Sequence, residues 1–234
     1  AGPGTVFREN AKKAGIDYFG HADERLLPPN DLKFQTSRHA IGGVSAGDIN
    51  GDGWDDLVFC GGGEVELYLN QRDGSFRKAT REWGLADLRH ATATLLADFD
   101  NDGDADLYVG VFFGRNRLYR NEGDALVEVT NDSGLSGDDM TSCLCAFDAN
   151  GDGRLDLYVG RFLNSRQDVP RMIHYTRNGK PNRLYLGQGD LTFRDVSAVS
   201  GADDRGLTLG IAAGDYDKDG DQDLYLANDF GRNV

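Results

Sequence analysis

Apolar residues along this chain fall in short runs, bounded by clusters of Gly, Asp and Asn. Stretches such as VELYLN (65–70), DLYVGV (106–111) and NRLYLG (182–187) have the length of strands, and the apolar run 107–113 is strand-sized rather than membrane-spanning. Gly-rich turns between such runs predict an all-β protein.

The runs recur. DINGDGWDD (48–56), DFDNDGDAD (98–106), DANGDGRLD (148–156) and DYDKDGDQD (215–223) are four copies of one segment, with starts 50, 50 and 67 residues apart. Each follows a run rich in small residues and precedes an apolar one: DLVFCG, DLYVGV, DLYVGR and DLYLAN. A third element recurs as VELYLN, NRLYRN and NRLYLG. A fourth recurs as SFRKATREWGL, ALVEVTNDSGL and TFRDVSAVSGA, and once more at the start of the chain as VFRENAKKAGI. Four β-prone elements in about 50 residues match the four-stranded blade of a β-propeller. With strands named A to D, the Asp-rich loop joins A to B.

This predicts one β-propeller domain over 1–234, incomplete in itself. Its repeats are roughly 38–87, 88–137, 138–204 and 205–234, with an N-terminal strand at 5–16. The chain stops at Val234, where strand C of the fourth repeat is due, so we expect an arc of a larger propeller. Two insertions break the period. One (18–37) carries His21, Pro28 and Pro29. The other (161–181) holds Arg161, Arg166, Arg171, His174, Arg177 and Lys180. This second, basic insertion is the candidate contact loop, Arg161 to Pro181, because insertions on one face of a repeat array often bind partners. A solvated loop is the plainer alternative.

Within each loop, positions 1, 3, 5 and 9 are Asp or Asn and position 6 is Gly. The expected metal ligands are therefore Asp48, Asn50, Asp52 and Asp56; Asp98, Asp100, Asp102 and Asp106; Asp148, Asn150, Asp152 and Asp156; and Asp215, Asp217, Asp219 and Asp223. Position 7, held by Trp54, Asp104, Arg154 and Asp221, is free in side chain and is expected to offer its backbone carbonyl. Gly53, Gly103, Gly153 and Gly220 would make the sharp turn. An all-oxygen set without His or Cys selects a hard cation, and Ca²⁺ accepts an all-protein cage more readily than Mg²⁺. An EF-hand would carry Glu at position 12 between helices; here that position is Phe59, Val109, Val159 and Leu226, within apolar runs.

Charge sharpens this reading. The chain holds 39 acidic residues against 25 basic ones, for a net charge of −14. Such a balance argues against nucleic-acid binding, which needs a basic footprint. Carboxylates crowded within one loop lie inside the Debye length of about 8 Å, so salt does not screen their repulsion and a bound cation would. Cys60, Cys143 and Cys145 show no metal or redox spacing. Cys143 and Cys145, two apart in a strand-like run, share a face and read as small core residues.

The cage D-x-[DN]-x-D-G-x-x-D-L-Y, followed by N-R-L-Y and [ST]-F-x-D-V-[ST], resembles the FG-GAP-like, or VCBS, repeat, whose cages occupy the A-to-B turns of integrin α-subunit propellers. PNRLYLGQGDLTFRDVSAVSGADD and GIAAGDYDKDGDQDLYLANDFGRN are similar to the cartilage-acidic-protein-like (ASPIC/UnbV) group. The resemblance implies a propeller of about seven blades in exported or cell-surface proteins, with calcium at the blade turns. Only four cages are present, and the C-terminal module that names the ASPIC group is absent.

The function expected is that of a non-catalytic adhesion, protein-interaction or structural module, extracellular, at the cell surface or periplasmic, with a protein or glycan partner. A propeller lectin, a carbohydrate-active enzyme and a structural subunit of a larger assembly are the alternatives. His21, His39, His90 and His174 are scattered, and no P-loop, G-x-S-x-G or H-E-x-x-H is present. The carboxylates assigned to calcium are poor general acids, since a bound cation lowers the pKa that such an acid needs raised.

Overall fold

A computed structural model describes residues 9–18, 42–61, 64–85, 88–135, 140–164, 167–171, 176–229 and 232–234. It contains three complete four-stranded antiparallel sheets and the beginning of a fourth. The first runs β1 (Gly43–Gly47), β2 (Asp56–Cys60), β3 (Glu66–Asn70), β4 (Phe76–Lys78). The second runs β5 (Ala91–Ala97), β6 (Asp106–Val111), β7 (Arg117–Asn121), β8 (Leu126–Glu128). The third runs β9 (Thr141–Phe147), β10 (Asp156–Arg161), β11 (Arg183–Gly187), β12 (Phe193–Asp195), followed by the short helix α1 (Ser197–Ser200). The fourth pairs β13 (Leu207–Gly214) with β14 (Asp223–Asp229). Spatial order thus follows chain order A-B-C-D, and β1, β5, β9 and β13 lie side by side along the inner edge. This is part of a β-propeller.

The second strand of sheets two and three is covered on both faces, and its alternating side chains serve two neighbours. Leu107, Val109 and Val111 of β6 join Leu67, Trp83 and Leu85 in the layer between sheets one and two. Tyr108, between them in sequence, faces Leu157, Tyr185 and Phe193 of sheet three. Phe99 meets Phe193 edge-on, with ring centroids 5.6 Å apart. Burying one such side chain stabilises by about 1.5–3 kcal/mol, against about 0–1 kcal/mol for exposed ion pairs like Arg77–Glu82. The apolar layers therefore hold the arc together.

Two polar devices fix how one sheet meets the next. The Asn that opens N-R-L-Y is buried. Asn116 accepts the Val111 N–H (2.8 Å) and the Thr141 hydroxyl of sheet three (2.9 Å). Asn182 accepts the Arg161 N–H (2.8 Å) and donates to Thr208 of sheet four (2.8 Å). The first repeat has Val65 in place of the Asn, and the second has Ala91 in place of the Thr; both are buried. The tie is thus present with both members or with neither. Hydroxyls add a second link along the inner edge: Ser45 donates to the Thr94 carbonyl (2.7 Å), Thr92 to Thr141 (2.6 Å), and Ser142 to Thr208.

The helical turns at 10–16, 79–85 and 129–135 each touch strand D of the sheet that follows them. Phe76, Leu126 and Phe193 donate their N–H groups to the carbonyls of Ala14 (2.7 Å), Trp83 (3.1 Å) and Ser133 (2.7 Å). Gly134 sits in the left-handed region (φ 74°), and a Cβ there would lie 2.5 Å from the Phe193 carbonyl oxygen. The Gly of this crossing answers both a backbone and a packing demand.

One expectation is corrected. The strand assigned to 5–16 is a turn wherever it is described: Ala14 donates to Asn10 (2.9 Å) and Ile16 to Ala11 (2.9 Å). These residues correspond to 79–85, which follow strand D, and not to the strand itself. The strand's first residues, 5–8, lie outside the described residues. So do His21, Pro28, Pro29, His39, Arg166 and His174, and all of the 18–37 insertion except Tyr18.

Candidate metal centres

Each Asp-rich loop is a network of backbone N–H groups turned onto carboxylates. The position-1 Asp accepts from positions 5 and 6 in the first three loops: Asp48 takes Asp52 (2.9 Å) and Gly53 (2.6 Å), and Asp98 takes Asp102 (3.1 Å) and Gly103 (3.0 Å). Asp148 does the same, and its Gly153 N–H contact holds the carboxyl below the usual range. In the fourth loop Asp215 accepts from Lys218 and Gly220. The position-5 Asp accepts the position-7 N–H in all four, at 2.9–3.0 Å.

Gly53, Gly103, Gly153 and Gly220 have φ of 85°, 97°, 81° and 99° with no atom within 4 Å of an added Cβ, so the turn itself requires glycine. Position 4 is also left-handed, at Gly51, Asn101, Gly151 and Lys218. The sequence does not announce this, because three residue types share the site.

The position-9 Asp does more than expected. Asp56, Asp106 and Asp156 are fully buried, each the first residue of its strand B. Each grips the position-2 N–H with one oxygen and the last residue of strand C with the other. For Asp106 the donors are Phe99 (3.1 Å) and Asn121 (3.0 Å); for Asp56, Ile49 (3.2 Å) and Asn70 (2.7 Å); for Asp156, Ala149 and Gly187 (both 2.8 Å). This residue braces loop to sheet whatever else it binds. Burial raises all three carboxyls, Asp106 to about 7.

Fit to a cation is tested by what the loops leave over. Ligand oxygens of Asp98, Asp100 and Asp106 gather within 4.8 Å of one another, as do those of Asp215, Asp217 and Asp223. Asp100 Oδ1 is buried and has no hydrogen-bond partner, and burial together with the Asp102 charge raises that carboxyl. A buried, unpartnered carboxylate oxygen is costly without a cation and fits well with one. The position-8 carbonyls of Asp55 and Ala105 accept from Asn70 and Asn121, both at 3.0 Å, while no internal donor reaches a position-7 carbonyl among the described residues. The residues present suit a hard cation.

The basic insertion holds internal contacts that its sequence does not display. Arg161 is buried and donates to the Pro181 carbonyl (3.1 Å), while Arg171 and Arg177 pair with Asp168 (3.2 Å) and Asp204 (3.4 Å). Two of its arginines thus have carboxylate partners within the protein, with their side chains still largely exposed. Of the cysteines, Cys60 is buried and Cys143 and Cys145 are half-buried. All three are free thiols, raised by burial, Cys60 to about 11 and Cys143 to about 12.

These sheets and loops define an arc of a propeller built from repeats that each carry an Asp-rich loop, and the FG-GAP-like repeat family model matches residues 48–109, 98–159 and 173–226. The chain belongs to that family. Cartilage acidic protein 1 of Homo sapiens is 27% identical over 250 residues, covering 97% of this chain and 36% of that protein. The Mus musculus protein is 26% identical over 249 residues, with the same coverage. The chain thus spans about a third of the length of these curated relatives. Among solved structures, an Agrocybe aegerita lectin described as recognising non-reducing terminal N-acetylglucosamine aligns with a TM-score of 0.46 and 19% identity, covering 82% of this chain and 50% of its own. The V. cholerae biofilm matrix protein Bap1 aligns at 0.43 and 16%, covering 83% and 30%.

Proposed function

We propose that this arc is a calcium-binding scaffold working outside the cytoplasm, in which the four loops hold the A-to-B turns in shape and other surfaces contact a protein or glycan partner without catalysis. The observation that carries it is the gathered Asp98, Asp100 and Asp106 set with its unpartnered buried oxygen. Calcium would be held by side chains at positions 1, 3, 5 and 9 and the carbonyl at position 7, neutralising carboxylates that otherwise repel. Sites of the weak extracellular type, with Kd on the order of 10⁻⁴ to 10⁻³ M, would be filled at millimolar calcium. Among the described residues no helix is long and apolar enough to cross a membrane.

The test is calorimetric melting in calcium and in excess EDTA. Mass action gives a Tm higher by many degrees with calcium, and coincident melts would sink the reading. A glycan array together with a protein pull-down separates the two partner classes.

A further inference from the structure

We infer that the four loops form two classes of cation site. Those at 48–56 and 148–156 carry an internal arginine that competes with calcium; those at 98–106 and 215–223 depend on calcium for charge balance. This rests on the calcium reading above.

In loop one, Arg72 places its guanidinium on Asp52 Oδ2 at 3.1 Å, reaching across from the turn between β3 and β4. In loop three, Arg154 places its own on Asp152 Oδ2 at 2.7 Å, with the Asn150 amide on the same oxygen at 3.0 Å. Both target the position-5 carboxylate, but from different places in the repeat. Arg72 stands in the C-to-D turn, where sheet three has Gly189; Arg154 stands at loop position 7, where sheet one has Trp54. The Arg154 stem lies across Gly189, where an added Cβ would be 2.9 Å from its Cδ, and its Nε donates to the Gly187 carbonyl (3.3 Å). Two unrelated positions thus deliver one guanidinium to one spot, between cation loop and C-to-D turn.

The other two loops lack this. Sheet two has Asp104 at position 7 and Gly123 in the turn, where the neighbouring Glu122 pairs with Arg120. Among the described residues, no Lys or Arg pairs with Asp98, Asp100, Asp102, Asp106 or their counterparts in the fourth loop. These are also the loops with Asp rather than Asn at position 3, and the ones whose carboxylates converge. Four ligand carboxylates without a counter-ion face three with one. The first kind repels itself until a divalent cation arrives; the second is partly balanced already, and calcium must share Asp52 or Asp152 with the arginine.

Calcium titration of the chelated chain by calorimetry should resolve two tighter and two weaker sites. Terbium luminescence sensitised by Trp54, half-exposed in loop one, isolates that weaker site, with Trp54→Phe as the control. Arg72→Gln should tighten the Trp54-reported site about two- to fivefold, as expected for removing one exposed ion pair. Arg154→Gln should do the same for the other weak site, and Arg72→Lys should fall between. Arg72 is exposed, so Arg72→Gln should melt as the parent does in EDTA; Arg154 is half-buried against Gly189, so its variant is read by calcium affinity alone. Four equal sites, or an Arg72→Gln protein whose terbium titration is unchanged or weaker, would overturn the inference and leave the calcium reading standing. No calcium heat and no chelator effect in the parent would remove both.

Discussion

Asp106 and Asp100 lie six residues apart in one loop, yet their removal should have opposite consequences when no cation is present. Asp106→Ala strips the acceptor from two buried N–H groups, Phe99 at 3.1 Å and Asn121 at 3.0 Å. An orphaned buried donor costs about 1–3 kcal/mol, and relief from burying the carboxyl offsets part of the pair, leaving a net loss of about 2–4 kcal/mol. At about 2–4 °C per kcal/mol for a chain of this size, the Tm in EGTA should fall by roughly 5 to 15 °C. Asp100→Ala deletes a buried oxygen that accepts nothing, and the Asp102 N–H that its carboxylate also receives keeps Asp98 as acceptor (3.1 Å), so in EGTA its Tm should match or exceed that of the parent. In saturating calcium both variants should melt below the parent, because each lacks a ligand. Thermal melts of both variants and the parent at pH 7.5, with EGTA and with calcium, give the four differences. Equal losses for the two variants in EGTA would refute the division into brace and ligand.

Other outcomes follow from the same geometry. The Asp106 carboxyl, pushed up to about 7 by burial from an ordinary 3.8, holds its proton in the native state over a range where the unfolded chain has lost it. Its contribution is complete below about pH 4 and is lost as pH rises toward 7. The Tm in EGTA should therefore fall from pH 5 to 7.5 while that in excess calcium does not, and parallel profiles would contradict this. Asn182→Leu should cost about 1–3 kcal/mol by orphaning the Arg161 N–H and removing the donor to the Thr208 hydroxyl, which keeps Asn228 as its acceptor. Adding Thr208→Val should restore part of that loss, as the Val65 and Ala91 pairing implies; strict additivity in the double-mutant cycle would count against the tie. Gly134→Ala should lose about 2 kcal/mol more than Gly201→Ala. Both have φ 74°, but only the first meets a carbonyl oxygen. Similar losses in urea unfolding would argue that φ alone sets the requirement.

Much of the site was legible in sequence because it is local. Ligand positions within nine residues, the Gly at position 6 and strand B directly after position 9 all follow from the loop's own chemistry. The brace made by Asp106 was not legible, since its second partner, Asn121, is fifteen residues on and takes part through a backbone N–H that every residue type has. Arg72 and Arg154 escaped for a related reason: one function is filled from two alignment columns, so neither column shows it. Counting basic residues in the 161–181 loop did not show that Arg171 and Arg177 pair with Asp168 and Asp204, because Asp204 comes from outside the loop.

By itself the sequence determined the repeat, the four Asp-rich loops, the order of strands and the alternation that makes them strands. It could not determine burial. Tyr108, Tyr158 and Tyr225 occupy the same register of the same strand, and two are 1% exposed while the third is 57% exposed. Tyr216, at the loop position where Ile49 and Phe99 are 1% exposed, is 82% exposed. Sheets two and three are each covered by a following sheet among the described residues, and sheet four is not. A strand's hydrogen bonds and side-chain alternation are set within its own few residues, but what its outward side chains meet is set by a neighbour some fifty residues away. Only the tertiary structure decides that.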